Sequence, residues 1–166
     1  MYKLICAADL ALTHGAIVDI NGKIWYAYTG RTGLAVKSEG LYDLALELYY
    51  NTPHGAILVI DWCRHSGSWG NKGRGSVTAM LMTQLISFYA AICTYDNDNV
   101  VHFIEPALVR YCVGLPANTN KFDVHHHCAK LFPKDLPDDI SGDNRDAWLL
   151  AYTLQCSIER TKETEL

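Results

Sequence analysis

Three apolar segments of this chain each end in a carboxylate, and this pattern restricts the fold more than any other feature. The segments and their acids are residues 4–8 before Asp9, residues 56–60 before Asp61 and residues 100–104 before Glu105. Short apolar runs without alternation are typical of strands that are buried on both faces of a sheet. The chain is therefore expected to build an α/β sheet in which several strands end in acids.

A fourth acidic element opens the predicted C-terminal helix. Asp143 and Asp146 lie three positions apart, so both carboxylates project from the same side of the first helical turn. Carboxylate oxygens are the hard ligands that Mg²⁺ and Mn²⁺ prefer, and two such ions held by acids can promote cleavage of a phosphodiester. Together with the strand-end acids, this pair predicts a site for divalent metal.

The bulk properties fit a small intracellular protein. A length of 166 residues predicts one domain, residues 1–166. The six cysteines lie without paired spacing and no signal peptide is recognisable ahead of them, so we expect a reducing cytoplasm. We expect no membrane association, because no apolar run is judged long enough to span a bilayer.

The net charge of −4 is unusual for a protein that binds nucleic acid. However, the four aspartates of the predicted metal site supply four of the negative charges, and bound cations would offset them. The basic residues also cluster locally; one group is Arg64, Lys72 and Arg74, and the other is Arg110, Lys121 and Lys130. Local basic patches on an acidic protein are therefore compatible with a DNA partner.

The pattern along the chain predicts a definite order of elements. It predicts strands at 2–8, 16–20 and 23–29, a helix at 41–50, a strand at 56–60, a loop at 62–75, a helix from an N-cap at Ser76 toward Thr94, a strand at 100–104, a helix at 121–131 and a helix from a cap at Ser141 to about Glu159. This order is the ribonuclease H-like arrangement, an α/β fold whose five-stranded mixed sheet has an antiparallel three-strand start, then parallel strands, with flanking helices. In that fold Asp9 and Asp61 end the two central strands side by side.

Six short motifs occur together over most of the length. They are residues 9–15 (DLALTHG), Ile60-Asp61, Val109-Arg110, Val113-Gly114, residues 121–124 (KFDV) and residues 143–147 (DNRDA). Together they resemble the RuvC-type Holliday-junction resolvases, including phage-encoded ones: an opening Asp with a return strand, a strand ending in an acid, a basic stretch, and a closing Asp-x-x-Asp-Ala. Arg110 and Lys121 also have the spacing of that family.

The resemblance implies a role for each motif residue. Asp9, Asp61, Asp143 and Asp146 would be the ligands of Mg²⁺ or Mn²⁺, with two ions per site and no other cofactor. Lys121 would be catalytic and, with Arg110, would contact the phosphate near the cut. The implied activity is resolution of four-way or other branched DNA by paired nicks that leave 5′-phosphate ends, in a bacterial cell or a phage-infected host.

The chain departs from the family pattern at two points. Asp61 stands where the family usually has Glu, which is one methylene longer. The turn after Asp9 reads Leu10-Ala11, whereas the family usually has Pro-Gly there. The first difference bears on metal spacing and the second on the geometry of the turn.

The loop after Asp61 predicts further DNA contacts. Its aromatic and basic residues are Trp62, Arg64, Trp69, Lys72 and Arg74. Either tryptophan could stack on unpaired bases at a junction, for a gain of roughly 1 to 3 kcal/mol per base, or could pack under its own loop.

Two other features of the sequence allow more than one interpretation. Glu105 could be an acid that supports the site or simply the end of its strand. Residues 125–128 (HHHC) do not favour zinc, because neighbouring helical residues point in different directions; a basic face toward DNA or an ordinary surface is the alternative.

The helix around residues 80–92 carries apolar residues on more than one face. Such a helix favours a homodimer interface, since a two-fold symmetric junction requires two active sites, although a plain core helix fits almost as well. The competing functions are a non-catalytic junction-binding protein of the same fold, a nuclease for other branched or flapped DNA, and a nucleotide-binding enzyme of the actin and sugar-kinase type. The last needs two such domains, which 166 residues cannot supply.

Overall fold

The computed structural model describes residues 3–30, 38–62, 74–139 and 141–164. Its elements, in chain order, are β1 (Ile5–Leu10), β2 (Gly15–Asp19), β3 (Ile24–Tyr28), α1 (Ser38–Tyr50), β4 (Ile57–Asp61), α2 (Arg74–Asp96), β5 (Val100–Ile104), α3 (Pro106–Cys112), α4 (Lys121–His127) and α5 (Asp143–Thr164).

The five strands form one mixed sheet in the order β3-β2-β1-β4-β5. The first three strands are antiparallel neighbours, whereas β4 pairs parallel to β1 and β5 pairs parallel to β4. This is the predicted ribonuclease H-like arrangement, and the sequence prediction of the fold class is confirmed. The register between the central strands ends at Ala8 opposite Ile60, so Asp9 and Asp61 follow at adjacent positions.

Helices cover both faces of the sheet. On one face, Leu58 and Ile60 of β4 pack in a cluster with residues of α1 and α2, including Leu41 and Leu85. On the other face, Val59 packs in a cluster with residues of α5. Because neighbouring residues of a strand point to opposite faces, both faces of β4 are buried. The prediction that the apolar runs of β1 and β4 are buried on both sides is therefore confirmed.

The third apolar run behaves differently. β5 lies at the end of the sheet, where Val100 is 45% exposed and Phe103 is 49% exposed. The expectation that all three runs are buried is wrong for this one. The composition of an edge strand can match that of a central strand, and its position in the sheet is decided by tertiary pairing.

Several predicted helix boundaries also need correction. α2 begins at Arg74, so Ser76 lies inside the helix and is not its N-cap. Ser141 is not the cap of α5, which begins at Asp143; its hydroxyl donates instead to Oδ2 of Asp143 at 2.6 Å. α5 extends past Glu159 to Thr164, and α4 ends at His127.

The sequence prediction missed α3. No helix is predicted between residues 104 and 121, but Pro106 begins a seven-residue helix there. Proline is favoured in the first turn of a helix, because its missing N–H has no partner there in any case. α3 places Arg110 beside the strand ends.

One helix corrects the expectation about membrane spans. Residues Thr78–Asp96 of α2 have the length and apolar composition of a span, with a mean hydropathy of 1.2. Within the fold, α2 packs on α1 and contributes Leu85, Tyr89 and Cys93 to the core. Its apolar composition is that of a core helix with additional exposed apolar residues.

Candidate active site

The ends of β1 and β4 open onto a cavity of about 170 Å³. Charged residues from five elements line it, namely Asp9, Asp61, Arg110, Lys121 and Asp146. The rest of the wall is largely apolar, from Pro106, Val109, Val124, Leu149 and Leu150. The structure therefore brings three of the four predicted acids and both predicted phosphate contacts to one place.

The two strand-end acids are crowded by neighbouring negative charge. Burial raises the pKa of Asp9 well above its usual range, and the charges of Asp146, Asp61 and Asp143 raise it further. Burial and the charge of Asp146 raise the pKa of Asp61 to about 7, while Arg110 acts in the opposite direction. Carboxylates that disfavour one another's ionised form need nearby positive charge to remain ionised.

The fourth acid lies beside this cavity on α5. Asp143 is 2% exposed, and Asp146 follows it on the same side of the first helical turn. Lys121 lies between the two: its Nζ is 2.5 Å from Oδ2 of Asp146 and 3.8 Å from Oδ1 of Asp143. The three-residue spacing on the helix therefore brings the carboxylates of Asp143 and Asp146 to the same ammonium group, that of Lys121.

The two basic residues reach the cavity from different helices. Burial alone would lower the pKa of Lys121, but its hydrogen bond to Asp146 and the charges of Asp146, Asp9 and Asp143 raise that pKa above its usual value. Arg110, on α3, donates through Nε to the carbonyl oxygen of Thr119 at 2.6 Å. This bond ties α3 to the segment just before α4 and fixes the guanidinium near Asp61.

Two histidines that the sequence analysis did not assign to the site contact the α5 acids. Nδ1 of His14 lies 2.8 Å from Oδ2 of Asp143, and Nε2 of His125 lies 2.7 Å from Oδ1 of Asp146. One signal was available for His125: it lies four positions after Lys121, on the same face of the helix predicted there. No comparable signal existed for His14, which reaches Asp143 across 129 positions of the chain.

The carboxylate oxygens of this site are of the chemical type that hard divalent cations prefer. Three carboxylates from β1, β4 and α5 line the cavity and Asp143 lies beside it, and Oδ1 of Asp61 is shielded from solvent without a hydrogen-bond partner among the described residues. A buried carboxylate oxygen without a partner is costly and is satisfied when a cation binds it. In the described ranges, no three His, Cys, Asp or Glu side chains converge closely enough to hold an ion as placed. The ammonium group of Lys121 lies between the two α5 acids.

Other predicted contacts lie farther out or outside the described residues. Glu105 occupies the position before α3 and does not line this cavity. Trp62 is 37% exposed and packs edge-on against Phe103, with ring centroids 5.4 Å apart. The predictions for Arg64, Trp69 and Lys72, and for the side chain of Arg74, fall outside the described part of the chain.

The side chains of residues 125–128 have different surroundings, as expected for neighbouring residues on a helix. His125 faces Asp146, whereas Nε2 of His127 lies 3.1 Å from the carbonyl oxygen of Val113. His126 is exposed and Cys128 is buried in the core. Of these four residues, His125 is therefore the one that contacts an acid of the site.

Solved structures of known proteins share this fold. A structure of Thermus thermophilus RuvC in complex with a Holliday-junction substrate matches with a TM-score of 0.65 at 12% identity, over 96% of this chain and 97% of the other. The chain has a RuvC-type fold. A second Thermus thermophilus RuvC structure matches with a TM-score of 0.59 at 15% identity over the same shares of both chains. No protein-family model matches the sequence, and no curated protein sequence does.

At such low identity, the likeness to RuvC concerns the path of the chain, and the chemistry must be argued from the side chains. The residues of this RuvC-type fold that surround the cavity are acids from the central strands and α5, together with cations from α3 and α4. This arrangement can hold cations and a phosphate in one place.

Proposed function

We propose that this chain is a metal-dependent endonuclease that resolves four-way DNA junctions by paired, symmetric nicks. The observation that carries the proposal is one cavity of a RuvC-type fold that is lined by three acids and two basic side chains, with the fourth acid, Asp143, beside it on Lys121. The similar Thermus thermophilus RuvC structure is a complex with a Holliday-junction substrate, which supports branched DNA as the substrate class.

Each side chain has a role in this reaction. Asp9, Asp61, Asp143 and Asp146 would hold two Mg²⁺ or Mn²⁺ ions, and such ions would supply an activated water at neutral pH and positive charge beside the leaving 3′ oxygen. Lys121 donates to the phosphate as negative charge accumulates on it, and such donors are most effective in a largely apolar cavity. The nick leaves a 5′-phosphate and a 3′-hydroxyl.

The outer residues bind the junction. Arg110, held by its bond to Thr119, contacts a backbone phosphate beside the cut. The exposed edge of Trp62 offers a ring for stacking on a base at the junction centre. Two copies of the chain, related by two-fold symmetry, place two such sites on opposite strands.

Cleavage of a synthetic four-way junction tests the proposal. Each strand is labelled in turn, and a linear duplex of matched sequence serves as the control substrate, with Mg²⁺, Mn²⁺ or a chelator. We expect symmetric nicks on opposing strands of the junction, sealable by ligase because they carry 5′-phosphates, and no cleavage with chelator. Asp146→Asn should bind the junction and not cut it, whereas Asp43→Asn, on the exposed side of α1, should cut normally.

The possible outcomes separate the competing functions. Junction binding without cleavage by the wild-type chain in every metal would favour the non-catalytic binding protein. Equal cutting of duplex and junction would refute the branched substrate. Normal cutting by Asp146→Asn would refute the assigned site.

A further inference from the structure

Each of the two aspartates in the first turn of α5 has one carboxylate oxygen held by an imidazole. Oδ2 of Asp143 accepts hydrogen bonds from Nδ1 of His14 at 2.8 Å and from the hydroxyl of Ser141 at 2.6 Å. Oδ1 of Asp146 accepts from Nε2 of His125 at 2.7 Å. The two histidines come from distant parts of the chain, since His14 lies in the β1–β2 turn and His125 lies on α4.

The other carboxylate oxygens of the two aspartates face the same group. Oδ1 of Asp143 and Oδ2 of Asp146 both face Nζ of Lys121, at 3.8 Å and 2.5 Å. The two aspartates therefore have the same arrangement: one carboxylate oxygen contacts an imidazole, and the other faces the ammonium group of Lys121. The shared position of the ammonium group marks where the two acids can jointly bind a cation.

The ring of His125 is fixed from several sides. It packs edge-on against Phe132, with centroids 6.0 Å apart, and Phe132 packs in the same way on Trp148 at 5.5 Å. His125 is only 12% exposed. On the opposite side lies Gly142, where an added Cβ would come within 2.8 Å of Cε1 of His125. The imidazole therefore has little freedom to turn away from Asp146.

We propose that His14 and His125 are positioning residues, which hold one oxygen of each α5 acid so that the other is presented to a divalent cation. The inference rests on the proposed function, because it concerns the metal centre of that site. A carboxylate turns easily about its last torsion, and a fixed N–H donor on one oxygen restricts this rotation. The hydrogen-bond partners of ligating groups commonly contribute about 10- to 100-fold to metal affinity.

Binding of Mn²⁺ to the metal-free protein tests the role of His125. We expect His125→Ala to weaken Mn²⁺ binding by about 10-fold or more, measured by calorimetric titration and by the spin resonance of free Mn²⁺. His126→Ala is the matched control, because this neighbouring histidine is exposed and the contact with Asp146 is made by His125. Thermal melting of both variants in the absence of metal checks that the fold is intact.

Conservative replacements distinguish positioning from packing. The amide nitrogen of Gln lies about as far along its side chain as Nε2 of histidine, so His125→Gln should restore much of the Mn²⁺ affinity. For His14, which uses Nδ1, the corresponding replacement is His14→Asn. We expect a smaller loss from His14→Ala than from His125→Ala, because His14 is 43% exposed and Ser141 also holds Asp143.

Two results would overturn the inference, and they are distinguishable. If Mn²⁺ binds to the wild-type chain and Asp146→Asn abolishes it, while His125→Ala binds as tightly as His126→Ala, the inference alone fails. If the wild-type chain binds no Mn²⁺, or if binding survives Asp146→Asn, the metal centre of the proposed function fails and the positioning role fails with it.

Discussion

At the scale of single residues, Asp61 has the most informative environment in the molecule. Its carboxylate ends a central strand, and burial with the charge of Asp146 raises its pKa to about 7. An aspartate in an unfolded chain has a pKa of about 3.9. Between these two values the folded protein retains a proton that the unfolded chain has lost. The stability from this group is complete below about pH 4 and is lost as the pH rises through 7.

The first prediction follows from this loss of stability with rising pH. In chelator, the melting temperature of the wild-type protein should fall as the pH rises from 5.5 to 8, because Asp61 is then forced to ionise beside Asp146. Asp61→Asn should flatten this dependence and raise the melting temperature at pH 8 by roughly 3 °C or more. Asp43→Asn, at an exposed position of α1, is the control. An unchanged pH profile in Asp61→Asn would contradict the assignment.

The second prediction concerns Lys121, whose ammonium group lies between Asp143 and Asp146. Lys121→Met should slow junction cleavage by about 10²- to 10³-fold, the usual cost of removing a donor to a developing charge. It should nevertheless tighten Mn²⁺ binding, because the competing cation is gone. Cleavage rates and Mn²⁺ titrations are compared with those of Lys130→Met, which removes an exposed charge near α4. Weaker Mn²⁺ binding in Lys121→Met would mean that Lys121 supports the metal centre.

At the scale of elements, the sequence patterns predicted the central strands better than their surroundings. The runs before Asp9 and Asp61 were recognisable because a strand buried on both faces requires continuous apolar residues. α3 was not, since Pro106 is equally compatible with the end of a strand and the start of a helix. The exposure of β5 likewise depends on which strands pair, which a local pattern does not encode.

The third prediction belongs to the connection between α4 and α5. Gly142 has φ +73°, and an added Cβ would meet His125 at 2.8 Å and Lys121 at 2.9 Å. Gly142→Ala should therefore destabilise the protein, with about 1 to 2 kcal/mol from backbone strain and more from these contacts, and should weaken Mn²⁺ binding. Denaturant unfolding and Mn²⁺ titration measure the two effects.

Gly114 provides the matched control for that prediction. It also has a positive φ, +80°, but no described atom lies within 4 Å of an added Cβ. Gly114→Ala should show the backbone cost alone and leave Mn²⁺ affinity unchanged. Equal effects of the two substitutions would mean that the space left by Gly142 is unimportant for His125 and Lys121.

At the scale of the whole molecule, α2 leaves apolar side chains exposed beside its buried face. Met80 is 54% exposed and Phe88 is 39% exposed, although the same helix buries Leu85 and Tyr89. Two-fold symmetric substrates favour two-fold symmetric enzymes, and a helix of this kind supplies a self-complementary face. The proposed homodimer interface therefore includes α2.

The fourth prediction tests this interface. Wild-type protein should sediment at twice the chain mass of 18.6 kDa, and Met80→Asp should shift it toward the monomer, because a charge in a dimer interface loses its hydration. Paired nicking should become single nicking at the same protein concentration. Leu131→Asp, a similar change at a 44% exposed position after α4, is the control. A wild-type monomer in sedimentation, with or without junction DNA, would refute the dimer.

Part of the candidate site, as assembled in the whole molecule, could be predicted from the sequence. Asp9, Asp61, Asp143, Asp146 and Lys121 were available from strand ends, helix spacing and resemblance to a known family, and the structure gathers them around one cavity. His14 was not available, because its contact with Asp143 exists only when the first turn of the sheet meets the last helix. Side chains that act through a tertiary contact leave no local pattern in the sequence.

The packing of α5 on β1 determines when the proposed activity can arise. Two of the four acids lie on α5, which is synthesised long after the strands that carry Asp9 and Asp61. A nascent chain that still lacks α5 has two of the four proposed ligands, and it lacks Leu149 and Leu150 of the apolar wall of the cavity. The proposed activity therefore requires that α5 has been synthesised and has packed on β1.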